Sequence, residues 1–309
     1  MKKTEGIVIK STGSWYLVKQ PDGTVVHCRI KGKMRMEDIK STNPVAVGDV
    51  VEWEPEDEGT GVISEVKERK NYIIRRSTNL SKQSHIIAAN IDQAVLVVTI
   101  NYPITTRIFI DRFLASAEAY RIPVVMVFNK IDRFDHKHMI ELDGIRKLYT
   151  DIGYQTLMIS AKKQEDISEF SELLKDKVSV IAGHSGVGKS TLINRIEPGL
   201  NLKTSEISSA HHSGKHTTTF AEMHNLAVGG YIIDTPGIRG FGLYDVGENE
   251  LHHYFREIFA ASQHCQFNNC THMQEPGCAV KQQVKEGLIA ESRYNNYVSI
   301  YMGKDDKYR

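Results

Sequence analysis

The tetrapeptide NKID, residues 129–132, comes before the octapeptide GHSGVGKS, residues 183–190, and that order constrains the fold more than any other feature of the chain. The octapeptide follows an apolar run, VSVI, and opens an apolar helix, TLINRI. In that strand–loop–helix setting backbone N–H groups close around phosphate oxygens. The tetrapeptide ends another apolar run, VVMVF, and so falls at the carboxyl end of a strand, where open α/β sheets bind ligands. In the usual arrangement of such sites the phosphate loop opens the domain and the base reader follows far downstream. Both motifs fit one site if the same sheet is built from a chain whose ends have been moved, which is tolerated because termini often lie close together.

The remaining motifs have the matching chemistry. In the loop, Gly183, His184, Ser185, Gly186, Val187 and Gly188 supply the phosphate cradle and lead into Lys189, Ser190 and Thr191. Lys189 brings a point charge to the β and γ phosphates, and the Ser190 hydroxyl can ligate Mg²⁺. DTPG, residues 234–237, ends the run GGYIID; Asp234 is the expected Mg²⁺-side carboxylate and Gly237 the γ-phosphate sensor, although the four residues are also a good turn in their own right. Asp132 can accept from the ring N–H and the exocyclic amine of guanine, a donor pair that adenine lacks. Asn129 would tether the loop, Lys130 would lie along the base plane with Ile131 between it and Asp132, and Ser160-Ala161-Lys162 after the next run is placed to contact the guanine oxygen. Between phosphate loop and DTPG lies SEISSAHHSGKHTTTF, where a switch loop belongs, and Thr217 or Thr218 is expected to reach Mg²⁺ and the γ-phosphate. Ser190, Thr217, Thr218 and Asp234 are thus the magnesium set, direct or through water.

The rest of the chain of 309 residues divides around this core. Residues 1–75 read as five short strands broken by turns, a small closed barrel of the OB-fold kind. STNLSKQS marks a linker at 76–84, residues 85–248 form the α/β domain with a parallel sheet covered on both faces, and 249–309 are helical around a cysteine cluster, with one charged helix over 281–304. Cys265, Cys270, His272 and Cys278 offer three thiols and an imidazole with turn residues between them, a donor set for one structural Zn²⁺; His264 is a spare imidazole. No apolar run approaches the ~20 residues needed to span a bilayer, and the start has no secretion signal, so a cytoplasmic protein with no membrane partner is expected. With 39 Lys and Arg against 38 Asp and Glu, net charge does not announce a nucleic-acid binder. Arg29, Lys31, Lys33 and Arg35 nevertheless alternate along one stretch, as a phosphate-tracking strip or a solvated strand face would.

The permuted motif order, the barrel, the phrases AANIDQAVLVV, GHSGVGKST, GKHTTT and DTPG, and the cysteine cluster resemble the RsgA (YjeQ/YloQ) family of circularly permuted small ribosomal subunit biogenesis GTPases. The resemblance implies a multidomain protein: an α/β P-loop GTPase with circular permutation, flanked by an N-terminal all-β OB-fold barrel and a C-terminal helical zinc-binding domain. It implies GTP as substrate and GDP as product, Mg²⁺, the small ribosomal subunit and its rRNA as partners, and slow turnover that the partner accelerates. Ile238 stands where many GTPases carry a water-orienting glutamine, and the resemblance points to His216, alongside Lys189, as the catalytic pair. Gly186 stands where potassium-activated relatives carry asparagine, which argues against a potassium mechanism. A monomer is expected. Two other readings stay open: an RNA-binding module whose nucleotide only sets domain orientation, and an ATP-driven P-loop enzyme, which would leave Asp132 without a role.

Overall fold

Side chains that alternate in and out along short strands can close into a small barrel, and the first five strands do so. The structure is a computed structural model describing residues 4–30, 44–56, 59–76, 84–202, 221–234 and 247–303. Strands β1 (Thr4–Ser11), β2 (Tyr16–Lys19), β3 (Val25–Ile30), β4 (Val50–Pro55) and β5 (Thr60–Val66) pair in the order β1-β2-β3-β5-β4, and β4 returns to β1. Val8, Tyr16, Val18, Cys28, Val51, Trp53 and Ile63 fill the interior. A bidentate ion pair between Arg69 and the buried Asp49, 2.6 Å at each oxygen, ties the end of the barrel to the segment that follows.

That segment is more than a connector. Strands β6 (Tyr72–Arg76) and β7 (Ser84–Ala89) form an antiparallel pair around the predicted linker, of which residues 77–83 lie outside the described residues. Strand β8 (Gln93–Val98) then enters the main sheet, followed by β9 (Val124–Phe128), β10 (Gln155–Met158), β11 (Val178–Ala182), β12 (Glu222–Asn225) and β13 (Tyr231–Asp234). Their order is β10-β9-β8-β11-β13-β12; the first five run parallel and β12 is antiparallel to β13.

Every residue of β8 is buried, which explains its unbroken apolar run. Ala94, Leu96 and Val98 face α1 (Arg107–Ala119) and α2 (His136–Asp151), while Val95 and Val97 face α3 (Gln164–Leu174) and α4 (Lys189–Ile196). In a parallel sheet all strands present their carboxyl ends on one side. The loops after β8, β9, β10, β11 and β13 therefore converge there whatever their order along the chain.

Beyond the sheet come a 3₁₀ turn over Glu248–Tyr254 and helices α5 (Arg256–Ser262), α6 (Ala279–Lys285) and α7 (Glu291–Tyr301). The single helix expected over 281–304 is broken. Gly287 takes φ +74° and its N–H donates to Val284 O at 3.1 Å, the left-handed stop that glycine adopts without strain.

This helical module is fastened to α1 by a buried ionic cluster. Arg293 donates to Asp111 Oδ1 at 2.7 Å and to Glu257 Oε1 at 2.7 Å, and the Arg293 and Asp111 side chains are each 1% exposed. Tyr149 and Asn296 also donate to Asp111, at 2.7 and 2.6 Å. Removing one member leaves a charge buried without its partner. Arg293→Met is therefore expected to lower unfolding stability by about 3–5 kcal/mol, and Arg293→Met with Asp111→Leu to recover part of it, as read by urea denaturation.

Candidate functional site

Three loops at the carboxyl end of the sheet meet through one side chain. Asn129, at the end of β9 and 1% exposed, donates from Nδ2 to Val187 O of the phosphate loop at 2.9 Å, and its Oδ1 accepts from Ala161 N at 3.3 Å. The approach is close enough to dictate a residue: a Cβ on Gly188, at φ +101°, would lie 2.4 Å from Asn129 Nδ2. Lys130, held at φ +67°, donates from Nζ to Gly186 O at 2.5 Å and to Tyr102 O at 2.6 Å in the loop after β8. Burial, then the neighbouring Arg133, lowers the pKa of this ammonium against the opposing pull of Asp132. Ile131 joins the next loop by donating its N–H to Ile159 O.

Asp132 stands at the outer rim. Its Oδ1 accepts from the buried Ser160 Oγ at 2.7 Å, and its Oδ2 pairs with Lys162 at 2.9 Å. Burial alone would raise its pKa, but the hydrogen bonds from Ser160 and Lys162 and the Lys162 charge outweigh it and hold the carboxyl below its usual range. Lys162 is 78% exposed and can swing away, so Asp132 can accept two donors from a purine edge while Ser160 stays in place. Asp166, at the start of α3, accepts from Ser160 N at 2.6 Å and fixes this loop; the sequence reading did not single it out.

Across Asn129 lies the phosphate loop, between β11 and α4. Lys189 Nζ donates to Gly183 O at 2.8 Å and His184 O at 2.7 Å, contacts it would exchange for phosphate oxygens. The His184 ring packs on Phe109 of α1, with centroids 3.8 Å apart. Ser185 is exposed, whereas Ser190 and Thr191 enter the first turn of α4. Strand β13 ends on Asp234 beside β11. His216, Thr217, Thr218 and Gly237, with Ile238, lie outside the described residues.

The cysteine cluster forms a second centre. One donor atom from each of Cys265, Cys270, His272 and Cys278 lies within 4.8 Å of all the others. His272 Nδ1 is 3.6 Å from both Cys265 Sγ and Cys278 Sγ. A tetrahedral zinc with ordinary Zn–S and Zn–N bonds gives donor–donor edges of roughly 3.5 Å, so the spacing fits. Burial, with His252 beside it, pushes His272 down to about 4, leaving a neutral imidazole with a lone pair to donate. Burial also pushes the Cys270 thiol up to about 12, so a cation among the sulfurs is what would hold it as thiolate. His264 is exposed and outside the donor set. Glu275, another residue the sequence reading passed over, accepts from Thr271 N, Thr271 Oγ1, Met273 N and Gln274 N at 2.6–3.0 Å and shapes the turn that carries His272.

The chain is similar to known proteins over nearly its whole length. Residues 66–244 match the RsgA GTPase family model and residues 5–63 the RsgA N-terminal domain. A small ribosomal subunit biogenesis GTPase RsgA of Bacteroides fragilis is 58% identical over 306 residues, covering 99% of each chain. The crystal structure of YjeQ from Thermotoga maritima superposes with a TM-score of 0.81 at 37% identity, covering 98% of both chains. YloQ, described as a circularly permuted GTPase, gives a TM-score of 0.76 at 32% identity, covering 99% of this chain and 96% of that one.

Proposed function

The chain belongs to the RsgA GTPase family, and from that premise we propose that it binds the immature small ribosomal subunit, hydrolyses GTP in response during late maturation, and then leaves. GTP hydrolysis and a role in subunit biogenesis come with the family. The observation that supports the nucleotide reading is Asn129, whose side chain touches both the 183–190 loop and the Ser160–Lys162 loop, so that base reader and phosphate cradle would serve one molecule. In this reading Asp132 selects guanine, Ala161 N–H turns from Asn129 to the guanine oxygen, and Lys189 and the loop N–H groups hold the phosphates. Ser190 and Asp234, with Thr217 or Thr218, would hold Mg²⁺, which would supply positive charge to offset the charge that develops on the phosphates. His216 positions the attacking water once the partner orders the loop around it.

The RNA-facing surfaces are the barrel and the zinc module. Oligonucleotides bind OB barrels at the loop between the first two strands, and there Trp15 is 41% exposed, an aromatic face for a base. Arg29 pairs with Glu56 at 2.6 Å, which weakens its share of the expected basic strip; Lys31, Lys33 and Arg35 lie outside the described residues. Domain limits at 75, 84 and 248, a monomeric state and a cytoplasmic location belong to the same reading. No helix among the described residues is long and apolar enough to cross a membrane.

The test is GTP turnover with and without purified small subunits. Stimulation of about 10²-fold or more is expected, falling by about 10²-fold in His216→Ala with GDP affinity unchanged. Absence of stimulation in the parent chain would favour a nucleotide-gated RNA-binding module instead.

A further inference from the structure

The 183–190 loop is held on two sides by the sheet and the loop after β9. Gly183, at φ +141°, lies so close to β8 that a Cβ on it would fall 2.3 Å from Val97 O. Asn129 Nδ2 and Lys130 Nζ donate to the carbonyls of Val187 and Gly186. A third support comes from α1, through a residue that belongs to none of the sequence motifs. The Phe109 ring lies against the His184 ring, with centroids 3.8 Å apart and planes 32° from parallel. His184 is also the residue whose carbonyl accepts from Lys189 Nζ at 2.7 Å. Whatever fixes the His184 ring therefore fixes the carbonyl on which Lys189 rests.

Helix α1 is a firm mount for Phe109. Its start is tied to the end of β8, where Thr105 N donates to Thr99 O at 2.8 Å and Thr105 Oγ1 accepts from Thr99 N at 3.2 Å. Two residues beyond Phe109, about 200° around the helix, the buried Asp111 carboxylate accepts from Arg293, Tyr149 and Asn296. Phe109 itself packs on the core that β8 and α1 share. The ring thus meets the loop from an element that is fixed on both sides, and a loop already in shape costs less to order when a ligand arrives.

On the reading that the 183–190 loop holds the phosphates, we propose that Phe109 is a positioning residue for that loop: its ring stacks on His184 and keeps the His184 carbonyl, and with it Lys189, in place for a β-phosphate. Base selection is carried by Asp132 on a different loop, so the effect of Phe109 is confined to the phosphate end of the ligand. An aromatic pair of this kind is worth up to about tenfold in an equilibrium constant, which sets the size of the effect.

The experiment measures GDP, GMP and ADP affinities by isothermal titration for the full chain and for Phe109→Leu, His184→Ala, their combination, and Phe109→Tyr. GMP lacks the β-phosphate, so the GDP:GMP affinity ratio reads the phosphate end alone. Leucine keeps an apolar side chain on the core while removing the ring, and His184→Ala removes the other ring from a partly buried loop position. Each single variant is expected to lower the GDP:GMP ratio by about three- to tenfold, with the preference for GDP over ADP intact. The double variant should lose no more than either single one, and Phe109→Tyr, which keeps the ring, should retain the parent ratio. An unchanged ratio in either single variant, in protein that melts like the parent, would overturn the proposal. Losses that multiply in the double variant would do the same, as would a Phe109→Tyr ratio as low as that of Phe109→Leu. Failure of the underlying reading of the loop looks different: the parent chain itself would then bind GDP and GMP equally well.

Discussion

Asp132→Asn is expected to weaken GDP binding by about 10³-fold or more and to reverse the preference of the site toward xanthosine diphosphate. In the proposed site the carboxylate would accept from two guanine donors, the ring N–H and the exocyclic amine. An amide in its place presents one donor toward the amine, leaving a repelled and unpaired contact in a partly buried setting. Xanthine carries a carbonyl at that position, which accepts from the new amide. Isothermal titration with the two diphosphates reads the effect, and adenosine diphosphate should remain a poor ligand of both forms. The sign of the pH dependence follows from the same residue. Because Ser160 and Lys162 hold Asp132 below its usual range, its charged form and the stability it contributes are fully present above the unfolded value of about 3.9. Both are lost only as pH falls through the lower folded value. GDP affinity should accordingly show no Asp132-dependent loss between about pH 5 and 8.

The second large effect concerns the zinc module. Cys270→Ser, or a strong chelator, is expected to remove one equivalent of zinc and to unfold residues from the 3₁₀ turn onward. Such centres supply on the order of 10 kcal/mol of folding free energy. The module has a small core in which Cys270 and Cys278 are themselves members, beside Leu251, Phe255, Ile258 and Tyr297. Loss of the metal therefore removes both the staple and part of the packing. Metal analysis and limited proteolysis check this. Cleavage should appear between Cys265 and Cys278, and the remaining chain should still bind GDP, because Asn129, Asp132 and Lys189 are positioned by the sheet and its own helices. Arg293 would be released from Asp111 at the same time, so the α1 face loses its buried cation and the rest of the protein should melt earlier than the zinc-loaded form.

The 183–190 loop, the Asn129–Asp132 tetrapeptide and the cluster of Cys265, Cys270, His272 and Cys278 stood out in the sequence because each is short, local and chemically specific. Glycine at 188 is demanded by a backbone that no other residue can adopt against Asn129, and that demand is written directly in the sequence. Buried strands were legible for a related reason: β8 and β9 are buried throughout, and short valine-rich apolar runs such as AVLVV and VVMVF suit a strand covered on both faces. What escaped notice was weakly marked or distant. Helix α3 has Ile167, Phe170 and Leu174 on its buried face, a helical spacing, but its N-cap, Lys163, supplies no side-chain cap and acidic residues are interspersed along it. Strand β12 is four residues with one buried side chain, and only its neighbours identify it as a strand. Asp111 and Arg293 are 182 positions apart, and Asp111 lies on the buried face of α1 with no hint in the sequence of its partner. Glu275 gave one signal, a carboxylate set between His272 and Cys278, whose role becomes visible only when the turn around it is folded.

In the proposed site, motifs in reversed chain order converge on one guanine nucleotide. A crystal structure of the chain with Mg²⁺ and a non-hydrolysable GTP analogue tests it most directly. The expected result is a single bound molecule with its purine edge against Asp132 and Ala161 N–H, its phosphates in the 183–190 loop, and Lys189 moved from the Gly183 and His184 carbonyls onto phosphate oxygens. An analogue held by Lys189 whose base lies away from Asp132, or one bound only outside the phosphate loop, would contradict it.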